Sequence, residues 1–128
     1  MSPRKLLESL RLALEGIAYC IRTQRNMRIH CVFALLAVIF GCLAGITRLE
    51  FIFIIIVISM VLICEVFNTA IEKAVDASIR EYHPIAKLAK DVAAGAVLVS
   101  AINAVLVGCI IFGRYVWAAV LRIAGNGR

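Results

Sequence analysis

The chain has 128 residues, and 63% of them are hydrophobic, with a mean hydropathy of +0.99. A soluble domain is only about 45–50% apolar, so this composition reads as one membrane domain, with no room for a soluble catalytic domain beside its spans. The formal charge of +6 suits anionic inner-leaflet lipid; it does not suit nucleic acid, because the basic residues flank apolar runs instead of forming a patch with aromatics.

Residues 1–28 come first. Ser2-Pro3 suits a helix start. Leu6, Leu7, Leu10, Leu14, Ile17, Ala18 and Ile21 share one broad face, and Arg4, Glu8, Arg11, Glu15 and Arg22 take much of the rest. This pattern predicts an amphipathic surface helix at the membrane interface. The charges leave no long apolar core, so the segment does not read as a cleavable signal peptide. Thr23 to Asn26 is a polar elbow.

Three transmembrane helices are predicted, over 29–47, 51–71 and 92–112, each near the roughly 20 residues that cross a bilayer core. Helices are required because backbone groups in lipid must be satisfied within their own segment. His30 stands at the entrance of the first. The link Gly45 to Glu50 is short, so the first two spans form an antiparallel hairpin. Pro84 suits a first helical turn and predicts that the third helix begins near Ile85, before it enters lipid. That helix is rich in small residues (Ala86, Ala89, Ala93, Ala94, Gly95, Ala96), which allow close approach of a neighbour. Residues 114–128 read as a short tail, with Tyr115-Val116-Trp117 as an interfacial anchor and Gly125 to Arg128 frayed.

Basic residues orient the spans. The N-terminal segment is basic, and Lys73, Arg80, Lys87 and Lys90 lie between the second and third spans. The first link offers only Arg48, balanced by Glu50. The N-terminus and second loop are therefore expected in the cytoplasm and the C-terminus outside, although Arg114, Arg122 and Arg128 mildly oppose this. The five cysteines, Cys20, Cys31, Cys42, Cys64 and Cys109, show no metal spacing and read as small apolar side chains.

The chemistry is concentrated in the second span. At 100° per residue Glu65, Asn68, Thr69, Glu72 and Asp76 fall within roughly 100° of one another, on a helix that follows the uncharged run Phe51 to Cys64. An ionisable residue within a span costs roughly 2.5–3.5 kcal/mol on insertion scales and points to function. Carboxylates in a row suit a hard divalent cation. Glu72 and Asp76 lie toward the cytoplasmic end, where Mg²⁺ could be held with phosphate oxygens and water. Glu65 lies about 10 Å deeper, where it could take a proton from a lipid hydroxyl. Lys90, beside Asp91, could neutralise phosphate charge. The same stripe could instead pair with cations of a neighbouring helix or line an ion path, as in a non-enzymatic membrane subunit. No GxxxxGK[ST] loop, GxGxxG turn or HExxH pair is present.

Glu65-Val66-Phe67-Asn68-Thr69-Ala70-Ile71-Glu72-Lys73-Ala74-Val75-Asp76 closely resembles the E-x-x-N-[ST]-A-I-E-x-x-V-D signature of the prokaryotic diacylglycerol kinase family, which includes the undecaprenol kinases. Arg25 to His30 and Glu81 to Val97 agree with it in order and spacing, and the resemblance covers about residues 4 to 113. It implies small three-span subunits in a homotrimeric helical bundle of the bacterial inner membrane, with active sites at subunit boundaries. It also implies Mg²⁺-dependent transfer of the γ-phosphate of ATP to a lipid hydroxyl. Carried over by motif, Glu65 is the expected base and Glu72 the expected metal ligand. Asn68, Asp76, Glu81, Tyr82, His83, Lys90 and Asp91 are expected at the nucleotide. Lys5 or Arg4 would close over phosphates or lipid, and Ala94 would leave space for the lipid. Many relatives carry a second metal-binding Glu where this chain has Gln24, which implies weaker metal binding. The Tyr-His-Pro-x-Ala-Lys-x-Ala-Lys-Asp version of the third segment resembles the undecaprenol kinase branch more, with diacylglycerol as the alternative substrate.

Overall fold

The computed structural model describes residues 2–79 and 81–125. Four helices follow one another: α1 (Pro3–Thr23), α2 (Arg25–Ala44), α3 (Arg48–Ser78) and α4 (Pro84–Gly125), and the described residues contain no strand. The last three are long and apolar enough to cross a membrane, which gives the predicted all-α membrane architecture.

Local chemistry sets the breaks. Gln24 alone makes the elbow between α1 and α2: its backbone is extended, its N–H closes α1 on the Cys20 carbonyl at 2.8 Å, and its own carbonyl accepts from Arg28 N–H at 3.4 Å. Gly45 ends α2 in the left-handed region at φ 65°, where glycine is at ease. Gly41, one turn earlier, lets Ile46 fold back; a Cβ there would meet Ile46 Cδ1 at 3.0 Å. Thr47 then caps α3. Its hydroxyl oxygen accepts from Glu50 N–H at 3.3 Å, and the Glu50 carboxylate accepts from Thr47 N–H at 2.9 Å, a capping box. At the other end Pro84 opens α4, and Lys87 N–H bonds the His83 carbonyl at 3.0 Å.

The packing is inverted relative to a soluble bundle. Leu43 is 81% exposed, and Phe33, Ile63, Val99 and Ile110 also face outward. Glu65, Asn68, Thr69 and Ser100 are buried instead. α4 packs chiefly on α3, with α2 against α3 and α1 against α2. The buried apolar side chains on these two helices are Ile54, Val57 and Val61 of α3 and Ala93, Val97 and Ile111 of α4. Phe40 of α2 and Phe112 of α4 meet edge to face, centroids 5.0 Å apart.

The structure corrects the reading of the C-terminal segment. Residues 114–125 are no separate tail; they continue α4, which runs unbroken to Gly125. The physical reason is that Arg114, which looks like the end of a span, is neutralised: it pairs with Glu50 at 2.7 Å, while Tyr115 OH donates to the same carboxylate at 2.9 Å. Arg80 and Arg128, which entered the orientation argument, and the rest of the expected fraying at 126–128 lie outside the described residues.

Candidate active site

The stripe on α3 folds inward as its spacing requires. Glu65 and Thr69 are 2% exposed and Asn68 is 7% exposed. Glu72 is half-buried and Asp76 is exposed, so the row leads from the interior to the aqueous end. Thr69 spends its hydroxyl on the Glu65 carbonyl at 2.9 Å, an ordinary bond along the helix. Asn68 donates through Nδ2 to Glu72 Oε1 at 3.3 Å, which ties the middle of the row together. Two acceptors are buried with no partner among the described residues: Glu65 Oε2 and Asn68 Oδ1. Such groups are costly to leave unsatisfied, and a pair of them identifies a place where a donor is meant to arrive.

Both residues line one cavity of about 250 Å³, closed by Asn26, Ile29 and His30 of α2 and by Ala94, Val97, Leu98 and Ala101 of α4. Through Ile29, His30 and Ala101 it joins a groove of about 340 Å³ whose remaining walls are entirely apolar, among them Phe33, Ile54, Val57, Val61 and Val105. Ile54 to Leu62 gives this groove a length of about 12 Å along α3. A polar pocket at one end of a greasy channel fits an amphiphile with a hydroxyl head.

A second cavity, of about 300 Å³, lies toward the aqueous end, between the end of α3 and the start of α4. Asp76, Glu81, Tyr82, His83, Lys90 and Asp91 line it, together with Val75, Ile79, Ala86 and Lys87. Lys90 Nζ donates to Asp76 Oδ1 at 3.0 Å, and Lys87 Nζ to Asp91 Oδ2 at 2.9 Å. Lys90 precedes the span 92–112, and its hydrogen bond to Asp76, with the charge of that carboxylate, raises its pKa above the usual lysine value. It is an ammonium at neutral pH. Glu72 stands between the two cavities, one helical turn from Asn68 on one side and from Asp76 on the other.

All seven residues expected at the nucleotide line one of the two cavities: Asn68 the first, and the six just named the second. Glu72 sits at their junction. Lys5 does not join them; it is exposed on α1 and lines neither cavity. Gln24 also lines neither, and its side chain donates to Thr23 Oγ1 at 3.4 Å. Ala94 does line the cavity that holds Glu65. Sequence reasoning missed Asn26, His30 and Lys87 as site residues. The signal for the first two was the segment Arg25 to His30, noted as a match without a role for its side chains.

Among the described residues no three His, Cys, Asp or Glu side chains cluster as a metal cage. Glu72, half-buried and held by Asn68, is a single oriented carboxylate. That donor set fits Mg²⁺, which usually takes one or two carboxylates and completes its shell with phosphate oxygens and water.

Comparison of the sequence with known proteins identifies its family. The family model for prokaryotic diacylglycerol kinase matches residues 11–112. The chain is 47% identical over 107 residues to a diacylglycerol kinase of Synechocystis, covering 80% of this chain but 59% of that protein, so it spans less than two thirds of that relative's length. It is 40% identical over 97 residues to the undecaprenol kinase of Bacillus subtilis, covering 76% of this chain and 79% of that one. It is 30% identical over 107 residues to the diacylglycerol kinase of Escherichia coli, covering 84% and 88%. On these matches, with the family motif running along α3 from the buried Glu65 to the exposed Asp76, the chain belongs to the prokaryotic diacylglycerol kinase family.

Proposed function

We propose that the protein phosphorylates the hydroxyl of a membrane lipid at the expense of ATP, with undecaprenol as the favoured acceptor and diacylglycerol, giving phosphatidic acid, as the alternative. The observation that carries this reading is the pair of unpartnered acceptors, Glu65 Oε2 and Asn68 Oδ1, at the head of an apolar groove. A lipid hydroxyl supplies the missing donor.

The reaction follows from the two cavities. The triphosphate enters the outer one, where Lys90 and Lys87 exchange their carboxylate partners for phosphate oxygens and Tyr82 offers an exposed ring to the base. Glu72 would hold Mg²⁺, which supplies charge neutralisation for the phosphates. The lipid hydroxyl sits against Glu65, which takes its proton as the oxygen bonds to the γ-phosphorus. The bond from that phosphorus to the bridging oxygen breaks, and ADP leaves with the electron pair. Transfer of this kind is accelerated mainly by positioning and electrostatics, and a buried row of fixed side chains provides both.

One apolar groove leads away from Glu65, and a single isoprenoid chain fills a single groove more simply than two acyl chains do. The broad exposed apolar faces of α2, α3 and α4 suit lipid and packing against further copies; the family resemblance favours a homotrimer in the bacterial inner membrane, and the basic N-terminal segment and second loop favour a cytoplasmic N-terminus with the C-terminus outside. The test is transfer of radiolabelled phosphate from ATP in mixed micelles with each lipid offered separately. Labelled undecaprenyl phosphate supports the favoured acceptor, labelled phosphatidic acid selects the alternative, and no labelled lipid from folded protein supplied with Mg²⁺ refutes the activity.

A further inference from the structure

We propose that His30 is the proton outlet of the site: its imidazole takes from Glu65 the proton that the lipid hydroxyl has given up and passes it to water at the aqueous end of α2. This rests on Glu65 being the base. The Glu65 side chain is almost fully buried, and Glu72 is about 10 Å away along α3. Once protonated, Glu65 must be discharged before another hydroxyl can be activated. Among the described residues the cavity offers one other titratable side chain, His30. It is half-buried, it shares the cavity wall with Glu65, and it makes no side-chain hydrogen bond with a described residue.

The surroundings leave few alternatives. The α4 wall, Ala94, Val97, Leu98 and Ala101, carries nothing that titrates, and α1 contributes no residue to the cavity. On α3 the facing ionisable groups are Glu65 and, beyond Asn68, Glu72. On α2 itself Arg25 and Arg28 border a different depression with Val32 and Phe33. Asn26 lies one turn from His30 and is exposed, so the relay leads outward. Imidazole is suited to the task because it gains and loses a proton between pH 5 and 8. The steps balance: the proton leaves the lipid oxygen as the O–P bond forms, rests on Glu65, moves to a neutral imidazole nitrogen, and ends on water.

The test uses the full chain in mixed micelles, with undecaprenol and diacylglycerol as acceptors. In the wild type kcat falls on the acid side between pH 5 and 8, because a protonated imidazole accepts nothing; a flat profile there overturns the relay without any variant. His30→Ala lowers kcat by about 10²-fold with KM for ATP unchanged, and added imidazole restores about tenfold of it or more, better with more basic imidazoles. His30→Gln, which fills the space and hydrogen-bonds but cannot take up a proton, stays low. Wild-type kcat in His30→Gln, or no response of His30→Ala to imidazole, contradicts the proposal. Glu65→Gln separates the two ideas: it is inactive with or without imidazole, and an active Glu65→Gln overturns the base itself whatever His30 does.

Discussion

Lys90 Nζ and Asp76 Oδ1 stand 3.0 Å apart across the gap between α4 and α3, fourteen positions apart in the chain. Both side chains are partly exposed, 37% and 53%, so the pair adds little to stability. Its consequence is electrostatic: in the proposed nucleotide site both lysines already have carboxylate partners, Lys90 with Asp76 and Lys87 with Asp91. Binding exchanges partners instead of filling an empty basic pocket. Lys90→Met should lower kcat/KM by about 10²–10³-fold, the usual loss for one transition-state charge contact, and should raise KM for ATP. Steady-state kinetics at varied ATP checks this; an unchanged KM and kcat would reduce the pair to a strut between helices.

Ala101 lines both the polar cavity and the apolar groove, with Ile29 and His30. Ala101→Phe places a ring on the proposed path of the lipid. Overfilling of this kind costs about 1–3 kcal/mol, so kcat/KM for the lipid should drop by about ten- to a hundredfold. Nucleotide binding, measured by equilibrium titration, should stay as in the wild type. Equal losses for ATP and lipid would mean that the groove is not the lipid path.

Gln24 ends α1 without reaching either cavity. Replacing it by glutamate adds a carboxylate at the elbow. If the neutral amide weakens metal binding, Gln24→Glu should lower the Mg²⁺ concentration needed for half-maximal rate. A Mg²⁺ titration identical to that of the wild type removes Gln24 from the account.

The opposite end of α3 offers a control. Thr47 caps the helix through Glu50, which also holds Arg114 and Tyr115 of α4. Thr47→Ala should cost about 1 kcal/mol, as lost caps do, visible as a lower thermal midpoint in detergent. Phosphate transfer should be unaffected at temperatures below that midpoint, because Thr47 lies 18 positions, about 27 Å along α3, from Glu65.

Much of this was legible in the chain. Uncharged runs of the right length mark the spans, and 3.6-residue periodicity puts Glu65, Asn68 and Glu72 on one side of α3. Which residues of α2 face that side was not legible: His30 and Asn26 enter the site through the register between two helices, and no local pattern records it. The continuation of α4 past Gly113 was hidden for a similar reason. Arg114 looks like a stop until Glu50, 64 positions earlier, is seen to neutralise it at 2.7 Å. Lys87 was counted only as a cytoplasmic charge, since its pairing with Asp91 becomes meaningful only beside the Lys90–Asp76 pair.

The central claim is that the buried Glu65 takes the proton of a lipid hydroxyl. Its most direct measurement is ATP-dependent labelling of lipid by Glu65→Gln beside the wild type, with nucleotide binding measured on the same samples. The account predicts a loss of kcat of about 10²-fold or more, the range of a general base, with ATP bound as in the wild type. Labelling by Glu65→Gln at the wild-type rate would contradict it.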